Sequence, residues 1–277
     1  METVVVNYQS YLESRKNVLS DEIDRIIEEL DIYGYSVVEN VLTPEKVRLF
    51  WDAIDKIWEI QSKECGEKKL RALREWGTVR ALLFYDQAFA ELIRHPLVMD
   101  VVSRTIGETA ILHLMNGIIS FPNDVHHQSN LHRDFAKNFV SNKMLSVNAF
   151  WTLDAFSKEN GATWFLPHTH KIDYTPSDEY FKKHAIQIQA SSGSVIFFDS
   201  RIYHKGGYNS SSIRIGVNFQ YTKPVIKQQM DFPELLKNHI DRESPLAQTL
   251  GMWSVPPKSL QEFRVEPEKR TYKPGQG

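Results

Sequence analysis

The feature that most constrains this chain is a change of pattern at Gly107. Before it, apolar residues recur at helical spacing. After it come short β-branched or aromatic runs at 110–120, 145–153, 163–166, 185–189, 194–198 and 213–221, punctuated by Gly, Pro, Asn or Ser. Strands that short need partners on both edges and a buried face. A long series of them therefore points to an antiparallel barrel or sandwich. The expected fold is mainly β with flanking helices, around a double-stranded β-helix: a jelly-roll, cupin-like core.

The helical part has readable starts and stops. Ser20 could cap a helix with Ile23, Ile26, Ile27 and Leu30 on one face, ended by Gly34. Tyr35-Ser36-Val37-Val38 reads as a strand. Thr43-Pro44 joins a capping hydroxyl to a proline at the first helical position. Behind it, Val47, Phe50, Trp51, Ile54, Ile57 and Trp58 share one face. Helices are expected over 87–94 and 97–105, split by Pro96. No repeat, low-complexity tract or linker argues for two domains. The expectation is one domain over 1–277: a helical part over about 20–107, a jelly-roll core over about 108–225 and an extension over about 226–277. Its last stretch, 269–277, reads as an exposed tail.

Composition removes several classes. Net charge is −2, which gives no electrostatic case for nucleic acid or an anionic membrane. No apolar run approaches transmembrane length. Cys65 is the single cysteine, so no disulfide forms within the chain, and a reducing compartment fits. The first residues lack a basic stretch followed by a long apolar one, so no signal peptide is read. The expected setting is cytoplasmic and the expected partner a small-molecule substrate; a homodimer stays open.

The chemistry sits in His132, Asp134, His204 and Arg214. Residues i and i+2 of an extended segment point to one side, so His132 and Asp134 can serve one ion. His204 follows the convincing strand at 194–198 and suits a third ligand. Two histidines and a carboxylate bind one face of Fe(II) and leave three positions for a keto acid and O2. Zinc takes the same donors. Arg214 favours iron with a keto acid, because its fork can clamp the distal carboxylate through two parallel hydrogen bonds. H-x-D alone recurs by chance; its order with the later histidine and arginine is more specific. His168 and His170 also have i, i+2 spacing but follow Pro167 in a turn. His126 and His127 stand in the polar loop 123–130, which leads into the motif.

These residues carry a resemblance. Leu131-His132-Arg133-Asp134, Trp151-Thr152-Leu153-Asp154 with Glu159-Asn160-Gly161, Leu166-Pro167-His168-Thr169-His170, and Gly193-Ser194-Val195-Ile196-Phe197-Phe198 running to His204 and Arg214 resemble the phytanoyl-CoA dioxygenase family of Fe(II)/2-oxoglutarate oxygenases. The likeness runs from Gly34 to Tyr221. It implies a jelly roll, iron on His132, Asp134 and His204, and Arg214 holding 2-oxoglutarate. It also implies O2 as oxidant, with release of succinate and CO2. His170 becomes structural by the same likeness. His168 departs from it, standing where the family has a small residue. Related halogenases replace the carboxylate ligand by Gly or Ala, so Asp134 implies hydroxylation or another oxidation rather than halogenation. Asn116 and Trp151 are expected to line the keto-acid pocket, with Phe150 as a rival to Trp151.

The substrate is not readable. Segments 71–87, with Trp76, Arg80, Phe84 and Tyr85, and 135–143 are candidates to border it. Arg80 reads better as a salt-bridge partner than as an anion clamp. No Lys/Arg cluster suits the phosphates of an acyl-CoA, and a natural-product or metabolic intermediate fits better. Two alternatives stay open: a non-catalytic jelly-roll binding protein, and a cupin-like metal enzyme that does not use 2-oxoglutarate.

Overall fold

The computed structural model describes residues 21–124, 126–135 and 140–276. Glu22–Ile32 forms α1, and its cap is Asp21, which accepts from the Asp24 amide. The expected cap, Ser20, lies outside the described residues. Ile26 and Leu30 are the buried face of α1. Gly34, at φ +88°, turns the chain into β1, Tyr35–Val38. Pro44–Cys65 is α2, where Thr43 accepts from Lys46 N and Pro44 fills a first-turn position that needs no N–H. Then follow α3 (Glu67–Ala72), β2 (Thr78–Arg80), α4 (Leu82–Tyr85), α5 (Phe89–Ile93) and α6 (Pro96–Ile106). The last two are the helices expected over 87–94 and 97–105. Lys223 Nζ donates to the Ile106 carbonyl and satisfies the end of α6.

Past Gly107 the chain is β, as the pattern requires. β3 is Ile111–Ser120, β4 Ser146–Thr152, β5 Trp164–Leu166 and β6 Ile186–Gln187; α7, Asp178–His184, precedes β6. β7 is Val195–Asp199, β8 Tyr203–Lys205 and β9 Arg214–Thr222. They form a six-stranded sheet, β1-β7-β4-β9-β3-β2, and a three-stranded sheet, β6-β5-β8. Every strand pairing among the described residues is antiparallel. The two sheets are the leaves of a jelly roll with helices outside.

Alternation along the strands separates the two faces of the large sheet. Ala149, Trp151, Phe197, Val217 and Phe219 join the core formed with Ile26, Phe50, Ile54 and Phe89 of the helices. Ile118, Phe150, Ile196 and Phe198 face inward and pack with Phe165 of the small sheet. Burying a side chain of this size stabilises by roughly 1.5–3 kcal/mol, so both faces contribute.

Three details differ from the pattern reading. Strands β2 and β8 are three-residue elements, too short to show a period. His204 lies within β8, in the small sheet, because the chain crosses between leaves at a turn where Ile202 N donates to Asp199 O at 2.9 Å. The end of the chain is not a free tail. After α8 (Phe232–Leu235), α9 (Pro245–Thr249) and α10 (Leu260–Phe263), Tyr272 bridges Ser254 and Lys273 N donates to Trp253 O at 2.8 Å. Lys273 Nζ also sits 4.2 Å from the Trp253 ring centroid, a cation–π contact that pins the strand end. Gly277 lies outside the described residues.

Candidate metal centre

His132 and His204 meet through the backbone, each amide donating to the other's carbonyl at 3.0 Å. This lays the H-x-D segment along β8, the edge strand of the small sheet. His132 Nδ1 donates to Asn130 O at 2.7 Å, and His204 Nδ1 to Ile202 O at 3.0 Å. A carbonyl can only accept, so both protons sit on Nδ1 and both Nε2 lone pairs are left for a metal. His132 Nε2 is 3.5 Å and His204 Nε2 3.7 Å from Asp134 Oδ1. One donor atom from each residue lies within 4.8 Å of the others, a cluster that could hold a metal ion.

The electrostatics match ligand chemistry. Burial alone would raise the Asp134 carboxyl, but His204, His132 and the Asn148 amide outweigh it and hold the group at about 2. Burial, with His132 adding, pushes His204 down to about 4 despite Asp134. Carboxylate and neutral imidazole are the forms a divalent cation needs. A narrow cavity at the cluster is lined by Ile118, Gln128, Phe150, Phe198, Asn218 and others.

Arg214 lies on β9, on the inward face, and is buried. Its Cζ stands 4.1 Å from the Phe156 ring centroid. Nε and Nη1 have no hydrogen-bond partner among the described residues. Burial pushes its guanidinium down to about 10, and nearby Asp154 opposes the shift. Buried, cationic and short of acceptors, it could receive an anion.

The other predicted residues divide. Asn116 is inward-facing on β3, two residues from Ile118, and its Oδ1 accepts from Arg80 Nη1 at 2.8 Å. Arg80 in turn holds Glu75 through two hydrogen bonds of 2.7 and 2.6 Å, so the salt-bridge reading of Arg80 stands. Trp151 requires a correction. It is fully buried on the helix side of β4 and packs edge-on against His95, with ring centroids 5.2 Å apart. Phe150 takes the inward place. Of segment 135–143, residues 136–139 lie outside the described residues.

His168 adopts φ +68°, the left-handed conformation that favours small residues, and its Nδ1 donates to Ile32 O at 2.7 Å. His170 Nε2 donates to Asp31 O at 3.2 Å. Both histidines thus fasten the 167–170 turn to the end of α1, away from the cluster. His126 Nδ1 accepts from Gln128 N at 3.2 Å, shaping the loop that brings Gln128 to the cavity.

Sequence reasoning missed the polar side chains behind Asp134. Asn148 Nδ2 donates to Asp134 Oδ2 at 2.8 Å and to Asn218 Oδ1 at 3.1 Å. Gln220 Nε2 reaches Ser146 Oγ at 3.0 Å and the Asp134 carbonyl at 3.3 Å. One signal was available: Asn148 is two residues from Phe150 and shares its face, a polar side chain at an inward position.

A jelly roll with two histidines and a carboxylate converging at its mouth, and an inward arginine further along the same face, is the architecture of an oxygenase. Residues 30–216 match the family model described as Phytanoyl-CoA dioxygenase (PhyH), and the chain belongs to that family. It is 34% identical to a Mycobacterium tuberculosis protein described as uncharacterized, over 92% of this chain and 96% of that one. Dioxygenase trt7 of Aspergillus terreus is 24% identical, over 79% of this chain and 80% of its own. Dioxygenase af480 of Aspergillus fumigatus is 22% identical, over 64% and 59% respectively.

Proposed function

We propose that the protein is an Fe(II)- and 2-oxoglutarate-dependent dioxygenase that hydroxylates or otherwise oxidises a small organic substrate, a natural-product or metabolic intermediate. The observation that carries this reading is Arg214. A buried guanidinium with Nε and Nη1 unpartnered, on the inward face that also borders the His/Asp/His cluster, calls for an anionic ligand reaching from one to the other. A keto acid with a distal carboxylate has an anionic group for each. A cupin-like metal enzyme without such a cosubstrate would leave Nε and Nη1 without an acceptor.

His132, Asp134 and His204 would hold the iron. When bound, it would supply the activation of dioxygen, with 2-oxoglutarate leaving as succinate and carbon dioxide. The chain's own residues do the rest. Asn130 O and Ile202 O hold the Nδ1 protons and so fix which nitrogen faces the ion. Arg214 orients the distal carboxylate with a rigid fork. Ile118, Phe150 and Phe198 keep water from the reacting atoms.

The test is succinate formation with Fe(II), 2-oxoglutarate and O2, with and without candidate substrates. Native protein is expected to release succinate and His132→Ala to release none. Equal release by both, or none by the native protein across a broad substrate panel with iron bound, would defeat the reading.

A further inference from the structure

The two oxygens of Asp134 meet different neighbours. Oδ1 faces the imidazoles, at 3.5 Å from His132 Nε2 and 3.7 Å from His204 Nε2. Oδ2 accepts from Asn148 Nδ2 at 2.8 Å. Asn148 is fully buried, and its amide can stand only one way round. Ser200 Oγ donates to Asn148 Oδ1, while Nδ2 serves both Asp134 and Asn218. A flipped amide would set Oδ1 against the Asp134 carboxylate. Ser200 is fixed in turn by Ser146 Oγ at 2.6 Å, and Ser146 by Gln220 Nε2. All five of these side chains behind Asp134 are buried.

We infer that Asn148 is a positioning residue that keeps Asp134 a one-oxygen ligand. The inference rests on the iron and 2-oxoglutarate reading above. Of six positions around the ion, two imidazoles and one carboxylate oxygen take three. A carboxylate turned to present both oxygens would take a fourth. Two positions would then be left for a keto acid that binds through two atoms and for dioxygen, which together need three. A charge-assisted hydrogen bond to Oδ2 opposes that rotation. Asn148 is neutral, so it acts on the number of coordination places rather than on the charge of the site.

Two anaerobic titrations test this on native protein, Asn148→Ala and Ser200→Ala. The first follows Fe(II) binding by calorimetry. The second adds 2-oxoglutarate at saturating iron, follows the visible absorption of the iron–keto acid chelate, and then titrates nitric oxide as a stand-in for dioxygen. Asn148→Ala is expected to weaken iron binding by about 10–100-fold, the usual cost of losing a partner behind a ligand. With iron saturated and the keto acid chelated, it should weaken nitric oxide binding as a separate loss, because the place for a diatomic ligand is the one a two-oxygen carboxylate takes. Ser200→Ala should act in the same direction with smaller size, and it carries the test if Asn148→Ala does not fold. Native-like nitric oxide binding by the chelated Asn148→Ala protein, or by Ser200→Ala in its place, would overturn the inference. So would a lowered thermal midpoint with both affinities unchanged, which is what mere structural support predicts. Native protein that binds iron but gives no chelate absorption would instead overturn the 2-oxoglutarate reading, and this inference with it.

Discussion

On the proposed reading, Arg214 is the side chain on which the cosubstrate turns. A lysine there would keep the charge but lose the planar fork. Charge-assisted hydrogen bonds contribute roughly 1.5–3 kcal/mol, so losing one of a pair should weaken cosubstrate binding by about tenfold or more. Arg214→Lys is therefore expected to raise the 2-oxoglutarate concentration needed for half-maximal succinate release, with the apparent affinity for substrate little changed. An unchanged cosubstrate requirement would place the distal carboxylate elsewhere. The meeting of His132, Asp134 and His204 was legible in the sequence because spacing along the chain carries it: two on one extended segment and one just past the strand at 194–198, with Arg214 on the next strand. Asn148 was not. Its links to Asp134, Ser200 and Asn218 span 14, 52 and 70 positions, and no local pattern encodes such distances.

β4 shows how a single register step decides a role. Successive residues of a strand face opposite ways, so choosing between Phe150 and Trp151 is choosing between the cavity and the helices. The motif located the strand, but the face became visible only once β7 and β9 were paired on either side of it. Trp151→Ala is expected to cost about 3–5 kcal/mol of stability, as for other large aromatic truncations in a core. The folded fraction should keep its affinity for 2-oxoglutarate. Urea unfolding together with the anaerobic chelate titration checks both halves; weakened chelation by folded protein would return Trp151 to the cavity. Strand β8 was hidden for a different reason. Three residues cannot display a period of two, so His204 looked like a residue beyond a strand rather than on one. The 167–170 turn held its shape without the family's small residue, because α1 supplies a carbonyl acceptor to each histidine.

Acid sensitivity belongs to the molecule as a whole. Burial foremost, with His127, Arg214 and Arg80 adding, holds His126 at about 3, and His204 stands at about 4. Unfolding returns both toward the ordinary 6.5. Between those values the unfolded chain binds more protons than the folded one, so stability rises with pH. Metal-free protein should be fully stable above about 6.5 and lose stability as pH falls toward 4. Urea midpoints in chelator at neutral and mildly acid pH measure this; equal midpoints would mean that both rings ionise in place. No helix among the described residues is long and apolar enough to cross a membrane.

The cluster also joins the two leaves. Asp134 is tied through Asn148 to the large sheet, while His204 stands on the edge of the small one. An ion bound there would work as a rivet at the open end of the roll. The small sheet, with strands of two and three residues, has little cohesion of its own. If that ion is the iron proposed above, a cell short of it would hold more than idle copies of this protein. It would hold copies whose leaves rest on their apolar contacts alone, more open to proteases, and scarcity would shorten their lifetime as well as silence them.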